Sequence, residues 1–280
     1  MKGHNEMRIR RLGWDGLEVT AQGESLVIDY VQDSSGFLRA NWRGGVAVPP
    51  LRTPAVAALV THLHEDHTDV AAIESAVGQD GIVLRPKPFD GSAAEVVFTT
   101  KQEDDFAASK LDVRPVSEWA QSVLGPFTVT AVPAIDGLGD PQINWVVEAE
   151  GARLFHGGDT MFHGYWWLIA GRLGPIDVAA LPINGAVVDV PHLQPASTLA
   201  ACMGPREAVQ AAVNLQAKVL LPLHYGVVGE TVVYIEDDAP LEHVKEMAQT
   251  AGQRVVSLNP GETFDVAQSL RDGQTSAQPA

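Results

Sequence analysis

Short apolar runs separated by glycine-containing turns dominate the first half of the chain. Their alternation predicts β-strands over 8–12, 17–21 and 25–30. Residues 55–61 (AVAALVT) are almost continuously apolar, the pattern of a strand buried on both faces. Thr68 is placed to cap a helix running to Val77, with Val70, Ile73 and Val77 on one face and Gly78 ending it. Further strands are predicted over 82–85, 111–116, 127–132, 143–148, 153–156, 178–183, 219–223 and 254–258. Helices are predicted over 165–170, 205–217 and 241–251, with Pro205 suited to a first helical turn. The stretch 86–110 mixes proline, glycine and charge and reads as an irregular connection. Strands first, then strands mixed with helices, predict an α/β domain of two packed sheets with helices outside. One domain over 1–265 is expected, followed by a polar, flexible tail over 266–280.

Composition narrows the function. The chain has 280 residues, 45% of them hydrophobic, enough for a large core and too many for a disordered chain. Lys plus Arg is 19 and Asp plus Glu is 35, a formal net charge of −16. Such a surface repels phosphate backbones, and no basic cluster offsets it, so no nucleic-acid partner is expected. A small anionic ligand stays compatible, because bound cations reverse a local field. Cys202 is the only cysteine, so there is no intrachain disulfide and no cysteine-built zinc cage. No apolar run approaches the ~20 residues of a membrane span, and the N-terminal stretch lacks the apolar core of a signal peptide. These features predict a cytoplasmic protein with a small-molecule substrate and no membrane partner, and a homo-oligomer is compatible with them.

The chemistry is concentrated after the apolar run at 55–61. Thr61-His62-Leu63-His64-Glu65-Asp66-His67 contains H-x-H-x-D-H, four metal-binding side chains within six residues. In extended chain His62 and His64 point the same way, and a turn after them lets Asp66 and His67 face a neighbouring point. Imidazole and carboxylate together suit zinc, iron or manganese. Two more strands end in ligand types. Phe155-His156-Gly157-Gly158-Asp159-Thr160 offers Asp159, a carboxylate able to bridge cations, and Leu220-Leu221-Pro222-Leu223-His224-Tyr225 offers His224.

This order of motifs resembles the metallo-β-lactamase superfamily over nearly the whole chain. The resemblance implies a four-layer αββα sandwich, with one or two divalent metal ions at the edge of its two sheets. Zinc is the first expectation, with manganese and iron as alternatives. Residues 181–185 (LPING), 206–208 (REA) and 221–225 (LPLHY) are similar to the branch containing L-ascorbate-6-phosphate lactonase. That likeness implies hydrolysis of a lactone or a phosphorylated sugar lactone by metal-activated hydroxide. The family supplies a third histidine to the first metal about twenty residues before the bridging aspartate. Here no histidine lies between His67 and His156, and Asp136 occupies the matching segment. The expected binuclear set is therefore His62, His64, Asp136, Asp66, His67, Asp159 and His224, with Asp140 in reserve for Asp136.

Asp66 is also the candidate proton acceptor. His163, Asn184, His192 and Tyr225 are candidates to touch substrate. Asp69 and Asp29 are candidates to support a ligand histidine, and His156 is expected behind Asp159. At least one of Trp166 and Trp167 is expected in the core, Cys202 reads as a small buried apolar residue, and Arg206 as a solvated helix residue. Two alternatives stand beside the lactonase reading: a phosphodiester hydrolase on the same metals, and a degenerate member that binds metal without turnover.

Overall fold

A computed structural model describes residues 6–32, 50–191, 193–226 and 233–275. In chain order, β1 (Arg8–Arg11), β2 (Leu17–Ala21), β3 (Glu24–Ile28), β4 (Ala55–Leu59), β5 (Ile82–Pro86) and β6 (Asp112–Val116) form most of one sheet. A second sheet takes β7 (Gln121–Leu124), β8 (Phe127–Pro133), β9 (Ile143–Ala149), β10 (Ala152–His156), β11 (Val178–Pro182) and β13 (Val219–Leu223). A two-stranded ribbon pairs β12 (Val187–Val188) with β14 (Tyr234–Ile235), and β15 (Thr263–Asp265) returns to the first sheet beside β1.

The central strands bury both faces. In β9, Ile143, Trp145, Val147 and Ala149 enter the core between the sheets, where they meet Leu17, Val19, Leu26 and Ile28. Val146, on the opposite face, packs with Trp166, Ile169, Ala208 and Val244 of the helices. The period-two alternation thus feeds two apolar layers from one strand. Helices α1 (Val70–Val77) and α2 (Thr100–Ala108) cover the first sheet through Val70, Ile73 and Phe106. Helices α3 (Trp166–Leu173), α4 (Pro205–Asn214) and α5 (Pro240–Ala251) cover the second. The result is the expected αββα sandwich. Among the described residues no helix is long and apolar enough to cross a membrane.

Several expectations need correction. Helix α2 lies inside the stretch read as irregular, because only Gln102 and Phe106 of its nine residues are buried and four of the others are charged. Strand 254–258 reduces to one bridge, Val255 to Leu220 at the edge of the second sheet. The short strands β7 and β15 escaped the pattern because each adds only a few residues to a sheet edge. The first part of the expected tail forms α6 (Val266–Thr275), with Val266 buried and Leu270 resting on the core one turn later. Asp69 rather than Thr68 caps α1, accepting the Ala72 N–H at 3.0 Å. Thr68 instead donates its hydroxyl to the His62 carbonyl at 2.8 Å, fixing the turn after the first histidine.

Candidate metal centre

The topology sends several strand ends to one edge. Strands β3 and β4 run parallel, and β1 and β3 are both antiparallel to β2. In the other sheet β10, β11 and β13 are parallel, while β8 and β10 are both antiparallel to β9. The loops after β1, β3, β4, β8, β10, β11 and β13 carry Trp14, Asp29, His62, Asp136, Asp159, Asn184 and His224 respectively. Two hydrogen bonds between sheets hold the central segment in place. Ile143 N–H donates to Thr61 O at 3.0 Å and Trp145 Nε1 donates to Val60 O at 3.1 Å.

All seven expected ligands meet there. His62, His64, Asp136 and Asp159 each bring a ligand atom within 4.8 Å of the others, and so do Asp66, His67 and His224. Asp159 also groups with His224 and Cys202, so it adjoins both sets. His62 Nε2, His67 Nε2, His224 Nε2 and Asp159 Oδ1 are buried and have no hydrogen-bond partner. His67 Nε2 and Asp66 Oδ2 are 3.5 Å apart, His224 Nε2 and Asp66 Oδ2 3.6 Å, and His224 Nε2 and Asp159 Oδ1 3.5 Å. These spacings are too long for good hydrogen bonds. They match ligand atoms around a shared cation, since two donors each 2.0–2.1 Å from a tetrahedral ion stand roughly 3.3–3.4 Å apart. A bare buried polar atom costs roughly 1–3 kcal/mol, and cations held in the two sets would remove that cost for these atoms.

The opposite ring nitrogens are held by the fold. His67 Nδ1 meets Asp29 Oδ2 at 2.9 Å, and Asp29 Oδ1 accepts the Thr61 N–H at 2.8 Å. His64 Nε2 meets Asp140 Oδ2 at 2.8 Å, which leaves Nδ1 as the nitrogen able to coordinate. His224 Nδ1 meets Asn184 Oδ1 at 3.0 Å. Such partners set tautomer and ring orientation. Asp140 is therefore a support for His64 and not the replacement ligand, while Asp136 Oδ1 accepts the Leu138 and Asp140 N–H groups at 2.8 and 3.1 Å. Asp29 (φ 46°) and His224 (φ 56°) adopt left-handed backbone, a strain that packing must hold. Gly158 (φ +49°) lets β10 end against Thr61, since a Cβ there would lie 2.6 Å from the Thr61 hydroxyl.

Charges are tightly coupled. Burial disfavours the charged form of His62, His64, His67 and His224, and at His62 burial and the neighbouring His67 and His64 outweigh Asp66 and hold it well below its ordinary value. At His64 burial is overcome by Asp136, Asp140 and Asp66, which raise it to about 9. Burial is likewise overcome at His67 by Asp66, Asp29 and Asp15, and at His224 by Asp159 and Asp66. Asp66 is held low against burial by His67 and His224, whereas burial pushes Asp159 up to about 6.

Sequence reasoning missed three residues here. Trp14 donates its indole N–H to Asp66 Oδ2 at 3.1 Å and packs on the His224 ring with centroids 4.2 Å apart. Asp15 is buried with neither carboxylate oxygen hydrogen-bonded, 3.6 Å from His67 Nδ1 and 3.4 Å from His156 Nε2. Cys202 lies beside Asp159 and His224, its thiol pushed up to about 12 by burial and the Asp159 charge.

The candidate substrate residues fare differently. Asn184 is fully buried, accepts from the Cys202 thiol at 3.0 Å, and donates to Tyr234 OH and Glu236 Oε1, both at 2.9 Å. Its place is behind His224. His163 stacks on Trp166 with centroids 4.0 Å apart and does not line the cavity over the centre. Tyr225 lies under the Arg11 guanidinium at 4.5 Å, also outside that lining. His192 lies outside the described residues. Asp69 serves α1 and the Gln32 N–H, not a ligand histidine. His156 is fully buried, with Nε2 donating to Asp15 O at 2.9 Å and Nδ1 accepting the Gly158 N–H at 3.2 Å. A cavity of about 360 Å³ opens over the centre, with His64, Asp66, Asp159 and Cys202 in its lining.

Residues 26–225 match the beta-lactamase superfamily domain. A UPF0173 metal-dependent hydrolase of Thermococcus kodakarensis is 29% identical over 238 residues, covering 82% of this chain and 89% of that protein. Another, of Symbiobacterium thermophilum, is 28% identical over 262 residues, covering 92% of this chain and 99% of that protein. In three dimensions the chain is similar to Igni18, a metallo hydrolase of Ignicoccus hospitalis, with a TM-score of 0.63 at 18% identity over 92% of this chain and 97% of that one. At that identity the likeness concerns the fold.

Proposed function

The chain belongs to the beta-lactamase superfamily, and from that premise we propose that it is a metal-dependent hydrolase working with two divalent cations. The observation that carries this reading is the set of bare buried atoms, three imidazole Nε2 and one carboxylate oxygen, spaced as ligands and aimed into one site. His62, His64, Asp136 and Asp159 would hold one cation, and Asp66, His67, His224 and Asp159 the other. The mixed nitrogen and oxygen donors suit zinc, manganese or iron. Bound there, such cations supply Lewis acidity, bringing the pKa of water to near 7 and stabilising negative charge that develops on a carbonyl or phosphoryl oxygen.

The protein's own groups do the rest. Asp66 receives the proton from the attacking water on its carboxylate, which Trp14 Nε1–H holds in place through Oδ2. Asp29, Asp140 and Asn184 orient His67, His64 and His224 from behind, so the site is assembled before substrate arrives. The cavity keeps the reacting group beside Asp66 and Asp159. The favoured substrate bond is an acyl ester of the lactone type.

The test is metal analysis joined to a substrate panel. Protein stripped with EDTA and reloaded with zinc, manganese or iron is expected to take two equivalents and to hydrolyse lactones. Failure to bind any of the three metals leaves the degenerate alternative standing. Turnover of bis-p-nitrophenyl phosphate in preference to every lactone moves the assignment to the phosphodiester alternative.

A further inference from the structure

The two sides of the cavity come from parts of the chain that take no part in holding metal. Val97 and Phe98, just ahead of α2, form one wall, and Val188, Val190 and Val233, on and beside the β12–β14 ribbon, form the other. Leu138, two residues beyond Asp136, closes a third side. The Phe98 ring stands 5.4 Å from the His64 ring, so apolar surface reaches the metal ligands without a polar gap. Its volume of about 360 Å³ falls in the range of small-molecule sites.

Charge in the lining runs against an anion. Glu65, Asp66 and Asp159 are acidic. Lys101 is the only lysine or arginine in the lining among the described residues, and it is 63% exposed and paired with Asp105 one turn along α2. A phosphate or carboxylate group is normally met by a buried arginine fork, a lysine or a helix N-terminus, and the described walls offer mainly aliphatic and aromatic side chains instead, with Gln102 and Tyr234 as uncharged polar groups. Two cations balance the acidic ligands at the floor, but they leave the walls apolar.

We infer that the substrate is uncharged and carries an apolar body beside the scissile acyl group, which lodges between the Val97–Phe98 wall and the Val188–Val233 wall. The inference rests on the hydrolase reading and deepens it. A phosphorylated sugar lactone is the wrong chemistry for these walls. An alkyl-substituted lactone or ester is the right one, with affinity set by the area of chain that leaves water.

Binding and turnover test the two readings separately. The probes are straight-chain alkyl hydroxamates from butyl to octyl, titrated calorimetrically into the metal-loaded protein, with counterparts that end in a phosphate. Affinity is expected to rise about fourfold per methylene, the equivalent of ~0.8 kcal/mol, and the phosphate-tailed probes are expected to bind more weakly than the alkyl ones of equal length. Val188→Asp is expected to flatten the series while Val188→Leu keeps it, with metal content unchanged in both. A flat series, no binding at any length, or tighter binding of the phosphate-tailed probes overturns the inference. Turnover is read in parallel on γ-lactones with side chains from methyl to hexyl. A steep binding series without hydrolysis of any lactone or of bis-p-nitrophenyl phosphate supports apolar recognition and removes the hydrolase reading alone.

Discussion

His67 and His224 are locked through buried Nδ1 contacts, to Asp29 and Asn184, with Trp14 bridging them through the Asp66 carboxylate and the His224 ring. The half that contains His62 and His64 is held more lightly. There His64 is backed by Asp140 at 2.8 Å, but His62 Nδ1 meets only the hydroxyl of its neighbour Thr61 at 3.0 Å, and Asp136 is steadied by two backbone N–H groups. The first arrangement pins imidazoles from several strands, including two residues in left-handed backbone. The second combines adjacent motif residues with a carboxylate where an imidazole was expected. The contrast teaches that the halves should differ in affinity. Each half offers two imidazoles and two carboxylates, so the expected difference lies in how fully the ligands are backed: the His67–His224 half is the more preorganised, and the His62–Asp136 half should load last and unload first.

Asp159 tests whether the halves are joined, and it carries the largest expected effect. It adjoins both ligand sets, so Asp159→Ala should lower metal content at both positions and cut kcat/KM by roughly 10³-fold or more. Elemental analysis of the purified variant beside lactone kinetics checks this. Retention of two tightly held metal equivalents would break the picture of a shared carboxylate.

Asp136 separates the halves. Asp136→Ala should lose one equivalent and keep the other, with a fall in kcat/KM of about 10²-fold. Asp136→His should restore the lost equivalent and shift preference toward zinc, because imidazole is the softer donor. Unchanged stoichiometry in Asp136→Ala would mean that the lighter half needs no fourth ligand.

The same contrast explains what could be read from the chain. His62, His64, Asp66 and His67 were legible because local chain geometry alone brings them together after a strand whose burial is written in its apolar run. Asp159 and His224 were legible because each ends another buried strand, and Asp136 because the resemblance to the superfamily calls for a ligand about twenty residues before Asp159. The supports were not legible. Asn184 looked like a loop residue facing substrate, yet β11 ends at the crowded edge, so the amide is buried between His224, Cys202 and Tyr234. Trp14 and Asp15 reach the centre from a hairpin turn far earlier in the chain, a meeting set by sheet topology and by no local pattern. Helix α2, whose approach forms a cavity wall, hid behind a charged face with two buried positions.

Asn184 gives the next effect in size. Asn184→Ala removes the acceptor that fixes the His224 tautomer, and second partners of this kind are worth about 10–100-fold in metal affinity. The loss should fall on the tighter half alone, so competition with a chromophoric chelator should show one weakened equivalent and one unchanged. Equal weakening of both would show that the halves share a single supporting network.

His163 provides the smallest effect and the control for the whole contrast. It is buried, though less deeply than the ligand histidines, and it faces Trp166 and no carboxylate, so burial lowers its pKa to about 4. The ordinary value is 6.5, so the unfolded chain takes up this proton first as pH falls. The folded state therefore holds the benefit of the neutral ring above pH 6.5 and loses it as pH drops toward 4. His163→Phe keeps an aromatic ring against Trp166 and has no proton to gain. Its denaturant midpoint should fall less than that of the parent chain between those two pH values, while metal content and kcat/KM at neutral pH stay within about twofold. A larger drop in kcat/KM would bring His163 into the chemistry and end the distinction between a histidine that is merely buried and one that is buried among carboxylates.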